Sequence, residues 1–336
     1  MSRSECCGFF YRMNHFIEKE LKMEIRKAMG YFKQALENEQ LSLHTLRAYE
    51  QDLEQFCDCI GKEDLDELGF EDFQDYLAQI ASLKVTSIKR KRVVLNRFLA
   101  FCYRKRLCKE RLHEYIDPIR SKKTAIPKEV LSKEEIIQIQ SFLREEKEQA
   151  ALKCHSPYYE YLYYCTVRNE LLIAFLLYTG CRAHEAVSIQ KKDIDFEKNI
   201  ITLFTKGAKY NPIPIHDELI EAFSIYEKGI EKLGETLKAT IEKSIYLFPS
   251  KQDGMQYMAT RTLHDLMKKL SNVLNRPIHA HLFRHTFASY CIAANMDIST
   301  ISSLISHSNP SITLSIYTHE IDAHNKQEQI KKLRFN

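Results

Sequence analysis

The sequence lacks any run of about 18 or more consecutive apolar residues, which is the length that a membrane-spanning helix needs. Near the N-terminus Phe9, Phe10 and Tyr11 are followed at once by polar residues, which interrupt the apolar core of a secretory signal. These two absences argue against a membrane protein or a secreted one. We therefore expect a cytoplasmic location and no membrane partner.

Paired cysteine motifs are also missing, although the chain has ten cysteines. No two cysteines have the CxxC spacing, and the near neighbours Cys6 with Cys7 and Cys57 with Cys59 suit neither a zinc site nor a redox pair. We expect reduced, structural cysteines, as is usual in a reducing cytosol. The sequence predicts no metal and no cofactor.

Internal repeats and low-complexity segments are absent, and the apolar fraction of 44% is typical of a globular protein. Because 336 residues exceed what one compact core usually organises, we expect two domains. The segment 117–127 contains two prolines and three basic residues, a composition typical of a linker. We predict a helical domain at residues 24–118, a linker at 119–126 and a larger domain at 127–330.

The net charge of +4 is small, but the positive charge is concentrated in one stretch. Eleven basic residues and one acid, Glu110, lie between Lys84 and Arg111, which indicates an anionic partner such as DNA. The stretch has helical periodicity, with an apolar stripe made of Ile88, Leu95, Phe98, Leu99 and Cys102. On another face we predict DNA-binding residues, namely Lys89, Arg90, Arg97 and Arg104. A solvated face without a partner is the alternative.

Most of the remaining pattern is helical, and the predicted fold is mainly α with one small β element. Ser42 and Thr45 begin one helix, and Ser132 with Glu135 forms the capping box of another. Further helices are expected near residues 216–232, 258–274 and 280–296. Residues 200–205 and 211–215 predict a hairpin. Pro212 and Pro214 suit an edge strand, because alternate missing N–H groups face one side.

One helical segment carries an arginine between two histidines. At three- and four-residue steps, His281, Arg284 and His285 are predicted to share an exposed face, with Phe287 and Tyr290 on the core face. A guanidinium group matches phosphate oxygens bidentately, so this face suits a phosphate. A zinc site is disfavoured, because the glutamate of the HExxH motif is missing.

Three more short motifs accompany this one: TGCRAHE at 179–185, SH at 306–307 and IYTH at 316–319. In this order the four motifs resemble the tyrosine recombinase (phage integrase) family, in particular its Xer-like and transposon-integrase-like members. Residues 42–53, SLHTLRAYEQDL, resemble that family's N-terminal SAM-like, core-binding domain. The resemblance covers residues 25–325. It implies a C-terminal mixed α/β catalytic domain after the SAM-like domain.

By this resemblance the catalytic residues are Arg182, Lys206, His281, Arg284, His307 and Tyr317, with Glu185 and His285 in support. The implied activity is site-specific cutting and rejoining of double-stranded DNA through a 3′-phosphotyrosyl intermediate, without metal or ATP. The implied assembly is a homotetramer on DNA and a monomer or weak dimer off it. Such chemistry suits these residue types, since cationic groups stabilise the charge of the attacked phosphate and favour a tyrosine phenolate.

The sequence departs from the family pattern at three positions. Cys181 and Phe283 replace leucines, which should alter packing alone. Ser306 replaces the usual glycine before His307, and serine is less suitable than glycine if the backbone there needs a positive φ.

Two other functions remain as alternatives to the recombinase. A type IB topoisomerase shares the chemistry but would relax supercoils, whereas a non-catalytic DNA-binding regulator would use the same scaffold without cleavage. A metal-dependent nuclease is disfavoured, because no carboxylates cluster near the motifs.

Overall fold

A computed structural model describes residues 23–39, 41–117, 129–153, 156–205, 209–251, 254–307 and 310–311. The chain divides into two compact units, residues 1–123 and 124–336. The predicted linker, residues 119–126, lies outside the described residues.

The first unit is helical in its described part. Its α-helices are α1 (Ile25–Asn38), α2 (Leu43–Ile60), α3 (Phe70–Gln79) and α4 (Val85–Arg104), and short 3-10 turns precede and follow α3. As predicted, Ser42 caps the start of α2, and its side chain accepts a hydrogen bond from Thr45 N at 3.2 Å. The core is rich in aromatic rings, with Phe56 stacked on Phe73 at 5.9 Å between ring centroids.

Helix α4 confirms the predicted apolar stripe. The side chains of Leu95, Phe98, Leu99 and Cys102 are buried, and Ile88 packs against the same core. Because this face of α4 is buried, its basic residues other than Lys91, which is 6% exposed, lie on the remaining faces.

The second unit is mixed α/β. Its helices are α5 (Lys133–Ala151), α6 (Pro157–Thr179), α7 (Ala183–Val187), α8 (Asp217–Ile230), α9 (Glu235–Lys243), α10 (Thr260–Val273), α11 (Ala280–Ala293) and α12 (Ile298–Leu304). The capping box predicted at the start of α5 is present: Glu135 N donates to Ser132 Oγ and Ser132 N donates to Glu135 Oε2. Every helix in the described part of the chain is too short or not apolar enough to span a bilayer.

Helix α6 is the centre of this unit. Pro157 suits its first turn, where no N–H is needed, and Gly180 ends it with φ +58° in the left-handed region. Helices α5, α8 and α11 all pack against α6, so residues on several of its faces are buried. The tyrosine-rich segment 158–164 forms its first turns.

The predicted hairpin is present within a three-stranded antiparallel sheet. Strand β1 (Ile194–Asp195) pairs with β2 (Ile200–Thr205), which pairs with β3 (Lys209–Pro214). Strand β3 is at the edge of this sheet, as its two prolines indicated. Residues 206–208 of the hairpin tip lie outside the described residues.

The predicted faces of α11 are partly wrong. Arg284 is buried, with 3% of its surface exposed, whereas Tyr290, placed in the core by the sequence, is 37% exposed. The physical reason is that α6, α10 and α12 all pack against α11. A helix that is covered from several sides does not divide into one buried face and one exposed face.

Candidate active site and basic groove

The candidate active site is built around the end of α12. His307 N donates to Ser302 O at 2.9 Å and Ser306 N donates to Ser303 O at 3.0 Å, which is the pattern of a Schellman helix ending. Ser306 is the left-handed residue of that ending, with φ +52°. The backbone at Ser306 therefore does have the positive φ for which serine is less suitable than glycine. This helix ending determines where His307 leaves the helix.

Side chains from three other elements bind the last carbonyl groups of this helix end. Asn211 on β3 donates through Nδ2 to Ser303 O at 3.0 Å and to Leu304 O at 3.1 Å. Arg284 Nη2 donates to Ile305 O, and Arg182 Nη2 donates to Ser306 O at 3.3 Å. The two predicted arginines thus meet at adjacent carbonyl groups of one turn, beside His307.

Arg182 is held by the glutamate of the same motif. It precedes α7, and its backbone N donates to Glu185 Oε2 at 2.8 Å while its Nη1 donates to Glu185 Oε1 at 2.9 Å. The Glu185 side chain is 5% exposed and that of Arg182 is 35% exposed. A buried carboxylate therefore orients a guanidinium that still reaches solvent, where a phosphate can bind it.

Arg284 reaches the site from inside the protein. Its Nη1 donates to Gly180 O at 3.1 Å, and Gly180 belongs to the same motif as Arg182. Two features of position 180 require a glycine. Its φ is positive, and a Cβ there would lie 2.4 Å from Phe287 Cδ1. The neighbouring Cys181 and Phe283 are both buried, at 1% and 0% exposure.

The histidines lie on the same side of the unit as the arginines. The rings of His281 and His285 are perpendicular, with 5.6 Å between their centroids. Burial and, after it, the positive charges of Arg284, Arg182 and His281 together lower the pKa of His307 from 6.5 to about 4. His307 is therefore neutral at neutral pH, within the field of both arginines.

The structure thus brings together Arg182, Glu185, His281, Arg284, His285 and His307. Two predicted catalytic residues, Lys206 and Tyr317, lie outside the described residues. The sequence reasoning missed Asn211. One signal in the sequence could have indicated it. Asn211 is polar, yet it lies two residues before Ile213 and therefore on the same inward face of β3.

A basic groove occupies the surface of the first unit. The cavity has a volume of about 680 Å³ and is lined by Lys89, Arg92, Val93, Asn96, Arg97, Ala100, Tyr103, Arg104, Arg111, His113, Ile116 and Asp117. Three of the four predicted DNA-binding residues line it. The guanidinium of Arg111 lies 5.4 Å from the ring centroid of Tyr103. A concave surface with this charge suits a polyanion.

Arg90, the fourth predicted DNA-binding residue, lies in a different environment. It forms an ion pair with Asp52 of α2, a residue that is 3% exposed and also binds Lys91 Nζ at 2.9 Å. Arg97 is also paired, with Glu39. Within the described residues, Arg90 therefore links α4 to α2.

Among the residues that the structure describes, no group of three or more histidine, cysteine or acidic side chains is arranged to hold a metal ion.

Two protein-family models match the chain. The model described as "Phage integrase family" matches residues 129–324, and that described as "Phage integrase, N-terminal SAM-like domain" matches residues 29–106. Together they span most of both units.

The chain is also similar to individual proteins. Tyrosine recombinase XerC of Staphylococcus aureus (strain bovine RF122 / ET3-1) is 28% identical over 302 residues, which cover 88% of this chain and 90% of that protein. The structure of XerH site-specific recombinase bound to difH substrate has a TM-score of 0.62 at 19% identity, covering 88% and 81% of the two chains. A lambda integrase tetramer bound to a Holliday junction has a TM-score of 0.64 at 13% identity, covering 89% and 82%.

Proposed function

The chain belongs to the phage integrase family, and from this premise we propose how its residues recombine DNA. It is a tyrosine-type site-specific DNA recombinase, an enzyme that cuts and rejoins strands. One observation carries our assignment of roles. Arg182 and Arg284 come from different parts of the chain and bind adjacent carbonyl groups of the turn that leads to His307.

In the proposed reaction the scissile phosphate binds beside this turn, where Arg182 and Arg284 stabilise the charge on its non-bridging oxygens. The phenolic oxygen of Tyr317 attacks the phosphorus after losing its proton to solvent. The bond to the 5′ oxygen breaks, and Lys206 protonates that oxygen. The products are a 3′-phosphotyrosyl link and a free 5′ hydroxyl.

The remaining residues have supporting roles. Glu185 orients Arg182, and His285 packs beside His281. Neutral His307 offers a ring N–H to the bound phosphate without adding a full charge. Because the phosphotyrosyl link keeps the energy of the phosphodiester, a 5′ hydroxyl of another strand can attack it without ATP and without a metal.

We propose that the partner is double-stranded DNA carrying a specific site, and that the basic groove of the first unit binds its phosphates. The working assembly is a homotetramer on DNA, and off DNA the protein is a monomer or weak dimer in the cytoplasm. Support for the tetramer comes from the fold shared with the lambda integrase, whose structure is a tetramer on a Holliday junction.

The experiment that tests the chemistry uses a nicked suicide substrate, from which the freed strand end diffuses away and cannot be rejoined. Wild-type protein should form an adduct with DNA that resists SDS. The Tyr317→Phe variant should form none while still binding the substrate, because it lacks only the attacking oxygen.

Tyr210 provides the matched control. It is 71% exposed on β3, and the Tyr210→Phe variant should form the adduct at the wild-type rate. Normal adduct formation by Tyr317→Phe would exclude Tyr317 as the nucleophile. Absence of an adduct from wild-type protein on its own site would argue for the non-catalytic regulator instead.

A further inference from the structure

We propose that Asn211 is a positioning residue for the recombination reaction, acting on His307 and the two arginines through Ser306. This inference rests on the function proposed above. Asn211 lies on β3, the strand that follows the hairpin tip with Lys206, and it binds the turn that precedes His307. It therefore connects the element with the proposed general acid to the element that orients the phosphate-binding groups.

The contact is extensive for one short side chain. Asn211 Nδ2 lies 2.7 Å from Ser306 Oγ, 3.0 Å from Ser303 O and 3.1 Å from Leu304 O. An amide nitrogen has two hydrogens, so these are shared among three acceptors. All three acceptors belong to the end of α12. The Asn211 amide thus holds this helix end at several points, which restricts its rotation as well as its distance from β3.

The place of Asn211 in the sheet explains why its amide needs these hydrogen bonds. It pairs with Leu203 across the hairpin and shares the inward face of β3 with Ile213, two buried apolar neighbours. A polar amide among apolar residues is costly unless it is hydrogen-bonded. The end of α12 supplies those hydrogen bonds.

The contact with Asn211 is important because Ser306 has a positive φ. At φ +52° a serine is more strained than a glycine, the residue usual at this position in the family. Ser306 Oγ accepts a hydrogen bond from Asn211, which a glycine could not do. We infer that the Asn211 amide stabilises the left-handed conformation of Ser306. That conformation in turn directs both Ser306 O toward Arg182 and the backbone of His307 toward the site.

Two sets of side chains therefore bind four successive carbonyl groups. Asn211 binds those of Ser303 and Leu304, whereas Arg284 and Arg182 bind those of Ile305 and Ser306. Loss of the amide frees the first two and allows the turn to move relative to both arginines. A displacement of about 1 Å in a catalytic group can reduce a rate about 100-fold.

The test is a double-mutant cycle on single-turnover cleavage of the nicked suicide substrate, at saturating DNA. Asn211→Ala should cleave about 10- to 100-fold more slowly than wild type with unchanged DNA affinity. Ser306→Gly keeps the carbonyl that Arg182 binds but lacks the Oγ acceptor, and its own cleavage rate is the reference for the second background. In the Ser306→Gly background, Asn211→Ala should lose less than in the Ser306 background, because glycine adopts the positive φ without help from the amide. The loss that remains there measures the contacts with Ser303 O and Leu304 O.

Two further measurements separate positioning from a general loss of stability. In Asn211→Ala the ring resonances of His307 should shift in NMR spectra, and its pKa should move from about 4 as its distance from the arginines changes. The matched control is Tyr210→Ala, which alters the exposed face of the same strand. It should leave both the cleavage rate and the His307 resonances unchanged.

Several results would overturn the inference. Wild-type cleavage by a folded Asn211→Ala variant would do so, and so would equal losses in the Ser306 and Ser306→Gly backgrounds. If Asn211→Ala does not fold, Ser306→Ala removes only the Oγ acceptor, and wild-type cleavage by that variant would also overturn the inference. Failure of the proposed function is distinguishable, because wild-type protein would then form no adduct at all.

Discussion

At the scale of single residues, the candidate site depends on the protonation state of His307. Its side chain is half-buried, and burial together with the charges of Arg284, Arg182 and His281 lowers its pKa from 6.5 to about 4. An unfolded chain takes up this proton near pH 6.5, whereas the folded chain does not until about pH 4. The contribution of His307 to stability is therefore lost as the pH falls through this window.

Substitutions at Arg182 should therefore change the pKa of His307. Arg182→Ala removes one of the cationic groups that disfavour the imidazolium, so the pKa of His307 should rise. Arg182→Lys keeps the charge and should leave the pKa low. NMR titration of the His307 ring from pH 3 to 8 measures both. An equal rise in the two variants would show that the geometry of the guanidinium, rather than its charge, controls His307.

At the scale of elements, the β2–β3 hairpin offers two lysines for the role of general acid. Lys206 follows β2 directly, and Lys209 is the exposed first residue of β3. If Lys206 protonates the leaving 5′ oxygen, Lys206→Ala should slow cleavage by about 10²- to 10⁴-fold. Lys209→Ala has the same change of charge on the same hairpin and should have little effect.

A substrate with sulfur in place of the bridging 5′ oxygen sharpens this prediction, since a thiolate leaves without a proton. It should restore cleavage by Lys206→Ala but not by Arg182→Ala, which lacks stabilisation of the phosphate charge. Rescue of Lys209→Ala alone would transfer the role to that residue. Rescue of neither lysine variant would show that the proton comes from another group.

Helix α4 leads to a second prediction at this scale. Lys89 and Arg104 line the basic groove, so alanine at both should weaken DNA binding and reduce the slope of log K against log salt by about 0.9 for each lost phosphate contact. Arg90→Ala is the matched control on the same helix. It removes a partner of buried Asp52, so we expect a lower melting temperature with an unchanged slope.

If the slope of log K against log salt does not change when Lys89 and Arg104 are replaced, the groove is a solvated surface and does not bind DNA. A smaller slope in Arg90→Ala would instead show that the predicted DNA-binding face extends beyond the groove.

At the scale of the whole molecule, the proposed chemistry uses only side chains of this chain. Cleavage and rejoining should therefore proceed at the same rate in excess EDTA as in its absence. Activity that is lost in EDTA and restored only by Mg²⁺ would support the metal-dependent nuclease. The measurement is adduct formation and strand joining on the chain's own site.

Much of the fold could be predicted from local patterns. The stripe on α4, the caps at Ser42 and Ser132 and the hairpin with its edge strand all depend on hydrogen bonds or periodicities within a few residues. The order of the four motifs was likewise sufficient to indicate the family. Such features are readable from the chain because neighbours in sequence determine them.

Tertiary structure alone decided which of these residues meet. Residues far apart in the chain bury Arg284, pair Arg90 with Asp52 and bring Asn211 to Ser306. A helical wheel contains no information about which other helices cover it, so the predicted faces of α11 are wrong for Arg284 and Tyr290. The low pKa of His307 has the same origin, because burial and the field of distant arginines exist only once the chain has folded.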